Sequence, residues 1–214
     1  MKIITISREF GSGGREIGKR LADALGVPCY DHEIIDMVAE QHGFHKNYVA
    51  HISEKDIRVF YPSTIAHRFM AHQPAAQQPI KIAVAEHELI RQLAAQGDCV
   101  IVGRCADVVC QDMHPFNIFV YADRISKLQR CESRADESEH YSEKEMLRKM
   151  KKIDKERAAY RGLFTEEEWG RKESYHLCVN TSGREIKSLI PALAAYVNTW
   201  FVPVSYTHLR AHET

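Results

Sequence analysis

The chain opens on a short β-branched run, residues 2–7, that stops at a cluster of glycines, after which Ile17, Leu21 and Leu25 recur at helical spacing. That order predicts a strand, a loop and a helix. Gly26 closes the helix, residues 27–30 read as a second short strand, and Ile34, Ile35 and Val38 mark a second helix. Between residues 43 and 79 the periodicity weakens and histidine, proline and glutamine mix, which predicts an insertion of short helices and loops. Regularity resumes with a helix over residues 80–96 and an uninterrupted apolar strand over 99–102 that ends at Gly103. A strand without polar alternation is one covered on both faces. A further strand over 116–121, helices over 124–135 and 142–161, a strand over 176–179 and a last helix over 184–196 complete the pattern. Ser142 and Glu145 stand at capping-box spacing before the second of those helices. Five strands alternating with helices predict an α/β fold: a parallel sheet covered on both faces, with ligands at the carboxyl ends of its strands.

Composition narrows the partners. Lysine plus arginine equals aspartate plus glutamate at 29 each over 214 residues, so no global basic field makes a nucleic acid polymer or an acidic membrane the expected partner. Positive charge for holding phosphates must then be local. The length suits one domain with insertions. The cysteines, Cys29, Cys99, Cys105, Cys110, Cys131 and Cys178, form no C-x-x-C pair and read as reduced thiols of a cytoplasmic protein. The opening residues run directly into the glycine loop, so neither a secretory leader nor a membrane span is expected. The tail VSYTHLRAHET, residues 204–214, reads as a translated sequencing-library adapter, and the folded domain is assigned to residues 1–203. His32, His42, His45, His51, His67, His72 and His87 share no ligand spacing and are assigned surface or capping roles. Oligomeric state is left open.

The segment from Ile6 to Gly18, ISREFGSGGREIG, joins the first strand to the first helix, where backbone N–H groups and a helix N-terminus can wrap a polyphosphate. Gly11, Gly13 and Gly14 permit the close approach and positive φ that such a wrap needs. The spacing departs from G-x-x-x-x-G-K-[ST], because Gly14 and Arg15, or Arg15 and Glu16, fill the places of the lysine and the hydroxyl residue, and Arg8 or Glu9 fills the first glycine position. A tight strand-to-helix turn without a ligand fits this loop taken by itself.

The segments ISREFGSGGREIGKRLADALGVPCYD, CVIVGRCAD, residues 154–157 and WGRKESYHLCVNTS together resemble the cytidylate kinase-like family over nearly the whole chain. The resemblance implies a three-layer P-loop NTPase fold with a helical insertion at 43–79 and a lid over 124–161. It implies ATP and Mg2+ as cofactors and transfer of a phosphoryl group to a nucleoside monophosphate, with CMP or dCMP first. A kinase of another small metabolite and a nucleotide-binding module without turnover are the alternatives.

Arg8, Gly11, Ser12, Gly13, Gly14, Arg15 and Glu16 would then hold the triphosphate, with Arg15 in the lysine's role and Ser12 or Glu16 beside the magnesium ion. No metal ligand is assigned. Asp31, Arg104, Asp107, Asp154, Arg157 and Arg161 would meet the acceptor, and Arg15, Arg130 and Arg157 would act on the transferred group. The residues themselves also allow simpler readings: Arg15 as a solvent-facing arginine, Asp31 as a helix cap, Arg104 paired with Asp107, and the lid as a charged helical hairpin. Met37 stands where the resemblance expects an acceptor-binding arginine.

Overall fold

The computed structural model describes residues 1–43, 74–134 and 141–203. The five predicted strands are present as β1 (Ile3–Arg8), β2 (Cys29–Tyr30), β3 (Cys99–Val102), β4 (Phe116–Tyr121) and β5 (Leu177–Asn180). All pair in parallel, in the order β2-β3-β1-β4-β5, with Ile6 opposite Val102 and Arg8 opposite Val120. Seven helices surround them among the described residues: α1 (Gly14–Leu25), α2 (Glu33–His42), α3 (Pro74–Ala95), α4 (Ala106–Val109), α5 (Arg124–Glu132), α6 (Glu143–Arg161) and α7 (Ile186–Trp200).

The period of two along each strand sorts the core into two layers. Ile3, Cys99 and Ile101 face a cluster built with Ile34, Val38, Ile82 and Ile90. Ile4, Ile6, Val100, Val102, Ile118 and Val120 face Ile17, Leu21, Ile190 and Val197 on the opposite side. The sheet is therefore sandwiched, with α2 and α3 on one face and α1 and α7 on the other. Sandwiching of this kind requires strands apolar on both sides, and all four β3 residues are buried. A smaller cluster of Leu128, Met146 and Met150, joined by Phe10, packs α5 against α6 beside the glycine loop.

Several element boundaries differ from the pattern reading: β2 is confined to Cys29–Tyr30 and α5 ends at Glu132. α3 begins at Pro74 rather than near residue 80, because an Ala/Gln run can be helical without an apolar stripe and proline is tolerated in a first turn. α7 starts at Ile186 and runs on to Trp200. The capping box at the start of α6 is present, with the Ser142 hydroxyl accepting from the Glu145 N–H and the Glu145 carboxylate accepting from the Ser142 N–H. The part of the expected insertion at 44–73 and the tail 204–214 lie outside the described residues, as does residue 135 at the expected end of α5. Among the described residues, no helix is long and apolar enough to cross a membrane.

Close approach of α1 to the sheet sets the height of the glycine loop above the strand ends. It depends on Gly18, where an added Cβ would lie 2.5 Å from Val102 Cγ2 and 3.3 Å from Ile6 Cδ1. Gly18→Val should therefore overpack this contact and lower stability by about 2 kcal/mol, read in urea unfolding as an earlier midpoint with unchanged slope. An unchanged midpoint would show that α1 rides freely over the sheet.

Candidate active site

Beyond β1 the backbone turns through Gly11 at φ 75° and Gly13 at φ 85°, and Gly13 caps α1. Both values lie in the left-handed region that favours glycine. A Cβ at Gly13 would approach Ile186 Cδ1 to 2.6 Å, and one at Gly14 would approach the Arg8 Cβ to 2.4 Å, so the loop is drawn tight against its surroundings. The N–H groups of Gly14, Arg15 and Glu16 lie in the first turn of α1, where no intrahelical acceptor exists. Such a set of N–H groups, with a helix dipole behind it, can cradle an anion.

Neighbouring elements pin the cradle. Glu9 accepts from Lys127 Nζ at 2.9 Å and from the Ala122 N–H at 3.3 Å. The Phe10 N–H donates to Asp154 at 2.7 Å, and Arg157 donates to the Arg8 carbonyl at 2.9 Å, tying α6 to the loop. On the other side the Thr181 hydroxyl donates to the Ser12 carbonyl at 2.7 Å. Arg130 donates to the Thr181 hydroxyl at 3.1 Å and to the carbonyls of Thr181 and Arg184 at 2.5 and 3.1 Å. Burial lowers the Arg130 pKa. The Ser12 hydroxyl donates inward to the Glu9 carbonyl at 2.8 Å. Glu16 is held by Arg20 at 2.8 Å and by Arg134.

Beside the loop lies a cavity of about 430 Å³ whose lining includes Arg8, Arg15, Asp31, Arg104, Arg157 and Trp169. The topology explains the gathering: β1 and β3 are neighbours, so their carboxyl ends deliver Arg8 and Arg104 side by side. Burial first, and then the charge of Arg157, lower the Arg8 guanidinium from its ordinary value to about 9; Arg104 and Arg15 push the same way and Asp31 opposes them. Like charges held this close are relieved by an anion, and several guanidinium groups around one cavity suit a phosphate.

Each candidate has a definite place. Asp31 does not cap α2, whose first-turn flank is His32; its carboxylate meets Arg15 Nε at 2.5 Å and Arg8 at 3.8 Å. Arg15 is half-exposed at the mouth of the cavity and also touches His32. Arg104 and Asp107 do not pair with each other. Arg104 turns to Glu86 on α3 at 3.1 Å, and Asp107 takes Arg161 at 2.9 Å in a pair with both side chains 3 % exposed. Arg161 is also held by the Glu167 carbonyl at 2.5 Å and carboxylate at 3.1 Å. The Asp107–Arg161 pair separates the cavity from a second one of about 380 Å³ near Tyr175, His176 and Trp200.

His87, read from the sequence as a surface or capping residue, is instead half-buried against Tyr160 and Phe164, and desolvation there lowers its pKa to about 4. Pattern reading also missed Glu86, although it interrupts the apolar stripe of Ile82, Leu89, Ile90 and Leu93, which is a visible signal. Among the described residues no group of three His, Cys, Asp or Glu side chains could hold a metal ion.

Sheet order, glycine cradle and guanidinium-lined cavity define a kinase-type P-loop protein. A model of the cytidylate kinase-like family matches residues 3–183, and the chain belongs to that family. Among solved structures the chain is similar to an uncharacterized protein from Eubacterium ventriosum, at 26% identity over 93% of this chain and 99% of that one, with a TM-score of 0.67. It is similar in fold to shikimate kinase from Bacteroides thetaiotaomicron, at 14% identity over 92% of this chain and 98% of that one, with a TM-score of 0.53. No curated protein matches the chain.

The tie between α6 and the loop is pH-sensitive. Burial raises the Asp154 pKa from 3.8 to about 6, with the Phe10 N–H and Arg157 opposing. The folded chain thus holds more protons than the unfolded chain between those values, so this group's cost to stability builds as pH rises from 3.8 and is complete once pH has passed about 6. Asp154→Asn keeps an acceptor for Phe10 and does not titrate. Relative to wild type, its stability should rise between pH 4 and 7.5 by on the order of 2 kcal/mol in parallel urea titrations. A constant gap between the two proteins would show that Asp154 is well solvated.

Proposed function

We propose that this protein transfers the γ-phosphoryl group of ATP to a nucleoside monophosphate, CMP or dCMP first, with Mg2+. The observation that carries the reading is the cavity of guanidinium groups opening directly beside the glycine cradle. The N–H groups at the start of α1 hold the triphosphate, and Ser12 or Glu16 would stand beside its magnesium ion. That ion would supply positive charge to offset the charge that develops on the phosphate oxygens.

Arg104 takes the acceptor's phosphate, while Arg8 and Arg157 neutralise the group in flight. An acceptor phosphate oxygen forms a bond to the γ-phosphorus as the bond from that phosphorus to the β,γ-bridging oxygen breaks. The electron pair leaves on ADP. No covalent enzyme intermediate is required. Arg15 is poised at the cavity mouth and reaches the transferred group by exchanging Asp31 for phosphate, which frees Asp31 to accept from the acceptor's amino or hydroxyl groups. Asp154 places Arg157, and Asp107 with Arg161 forms the far wall behind the acceptor. Arg130 fixes the loop after β5 to the glycine loop. The site works in the cytoplasm on small nucleotides. A second reading, a different small phosphorylated acceptor, is favoured by Met37, which offers no charge where the family resemblance expects an arginine.

An ADP-release assay over CMP, dCMP, UMP, AMP, GMP and small phosphorylated metabolites separates the readings: the first expects CMP or dCMP to give the highest kcat/KM. ADP release from a metabolite with none from any monophosphate would replace it with the second. In the active protein, Arg104→Ala should lower acceptor kcat/KM by roughly 10² to 10³ while ATP affinity measured by calorimetry changes less than about threefold. Collapse of ATP affinity with acceptor use intact would reverse the assignment of the two sites.

A further inference from the structure

Glu86 lies on the buried stripe of α3, flanked by Ile82, Ala83, Ala85, Leu89 and Ile90, and is itself 0 % exposed. A carboxylate in such surroundings is costly unless a charged partner meets it. Arg104 does so at 3.1 Å, and its side chain is 9 % exposed. The arginine reaches that place by an unusual backbone route. Gly103, Arg104 and Cys105 follow one another at φ 78°, 56° and 52°, so two non-glycine residues are held in the left-handed region immediately after β3. Such conformations persist where the surroundings over-determine them. An arginine merely ending a strand would need neither the strained turn nor a buried acid.

Glu86 engages one guanidinium nitrogen of Arg104. A guanidinium carries five N–H donors in a rigid fork, and the remaining ones of Arg104 meet no hydrogen-bond acceptor among the described residues, although the side chain lines the cavity. The carboxylate therefore holds one corner of the fork from behind and leaves the others directed at whatever occupies the cavity. Arg8 stands beside it with its guanidinium against the Gly103 backbone, where an added Cβ would come within 1.8 Å of Arg8 Nη1.

We propose that Glu86 is a positioning residue that aims Arg104 at the phosphate of the acceptor. The proposal rests on the kinase reading for its kinetic form, while its structural form, coupled anion binding by Glu86 and Arg104, stands apart from turnover. Geometry rather than charge alone is the point. Glu86→Gln keeps the length and an oxygen that accepts from Arg104, whereas Glu86→Asp keeps the charge and withdraws it by one methylene.

The test is a double-substitution cycle on the full chain, using Glu86→Gln, Glu86→Asp, Arg104→Ala and each Glu86 change combined with Arg104→Ala. Calorimetry with CMP and with inorganic phosphate gives anion affinity, ADP release gives acceptor kcat and KM, and thermal melting reports folding. The expected order of acceptor affinity is wild type, then Glu86→Gln, then Glu86→Asp, the last weakened by about tenfold or more, with ATP affinity within about threefold throughout. In the Arg104→Ala background neither Glu86 change should weaken anion binding further. Losses that multiply in that background, or that fall equally on ATP and acceptor, overturn the proposal and show Glu86 to be a packing residue. Should Glu86→Asp fold poorly, the cycle with the near-isosteric Glu86→Gln decides the same question. Arg104-dependent, Glu86-coupled phosphate binding without ADP release from any acceptor would overturn the kinase reading and leave this inference standing. Turnover with uncoupled substitutions would do the reverse, and absence of any saturable binding of either anion would overturn the inference outright.

Discussion

The arrangement depends on how closely β1 and β3 approach at their carboxyl ends. The Gly103 N–H donates to the Ile6 carbonyl at 2.9 Å, continuing the pairing one residue past the strand, and the missing side chain leaves room for the Arg8 guanidinium over the backbone. Parallel pairing alone would bring two loops near one another. This contact brings the glycine loop and Arg104 to a common edge, and the cavity is what remains between them once α6 is laid across. Without it, Arg8 would be pushed toward solvent and the guanidinium cluster would open.

Charge is distributed in layers around that edge. Each buried acid meets an arginine, Glu86 with Arg104 and Asp107 with Arg161, at distances near 3 Å. The matches remove much of the desolvation cost while leaving donors of Arg104 available. Arg130 follows a different rule, because three of its acceptors are neutral oxygens of the loop after β5. It links segments distant in sequence without cancelling its charge, so the positive potential around the cradle is kept.

The fold was largely legible because its signals are local. The β-branched run before the glycines, the apolar strand at 99–102 and the Ser142/Glu145 spacing each report on a few adjacent residues, and all correspond to elements of the structure. Many of the residues that line the cavity could be named from the sequence, but their partners could not. Arg104 and Asp107 are close enough in sequence to suggest a pair, yet the left-handed turn at Arg104 and the start of α4 at Ala106 direct them to different helices. Lys127 meets Glu9 across 118 positions and Arg161 meets Asp107 across 54, and periodicity carries no record of such contacts. Glu86 was the readable exception, since an acid within an aliphatic stripe demands a partner.

The glycine loop is richer in conformational freedom than any other part of the site by composition, yet almost every direction in which it could relax is occupied. Asp154 holds it at Phe10, Arg157 at Arg8, Lys127 at Glu9 and Thr181 at Ser12. Its disorder is therefore surrendered when the chain folds, not when a ligand arrives. A polyphosphate meeting such a loop encounters a mould already set, and little of its interaction energy is diverted to ordering the backbone.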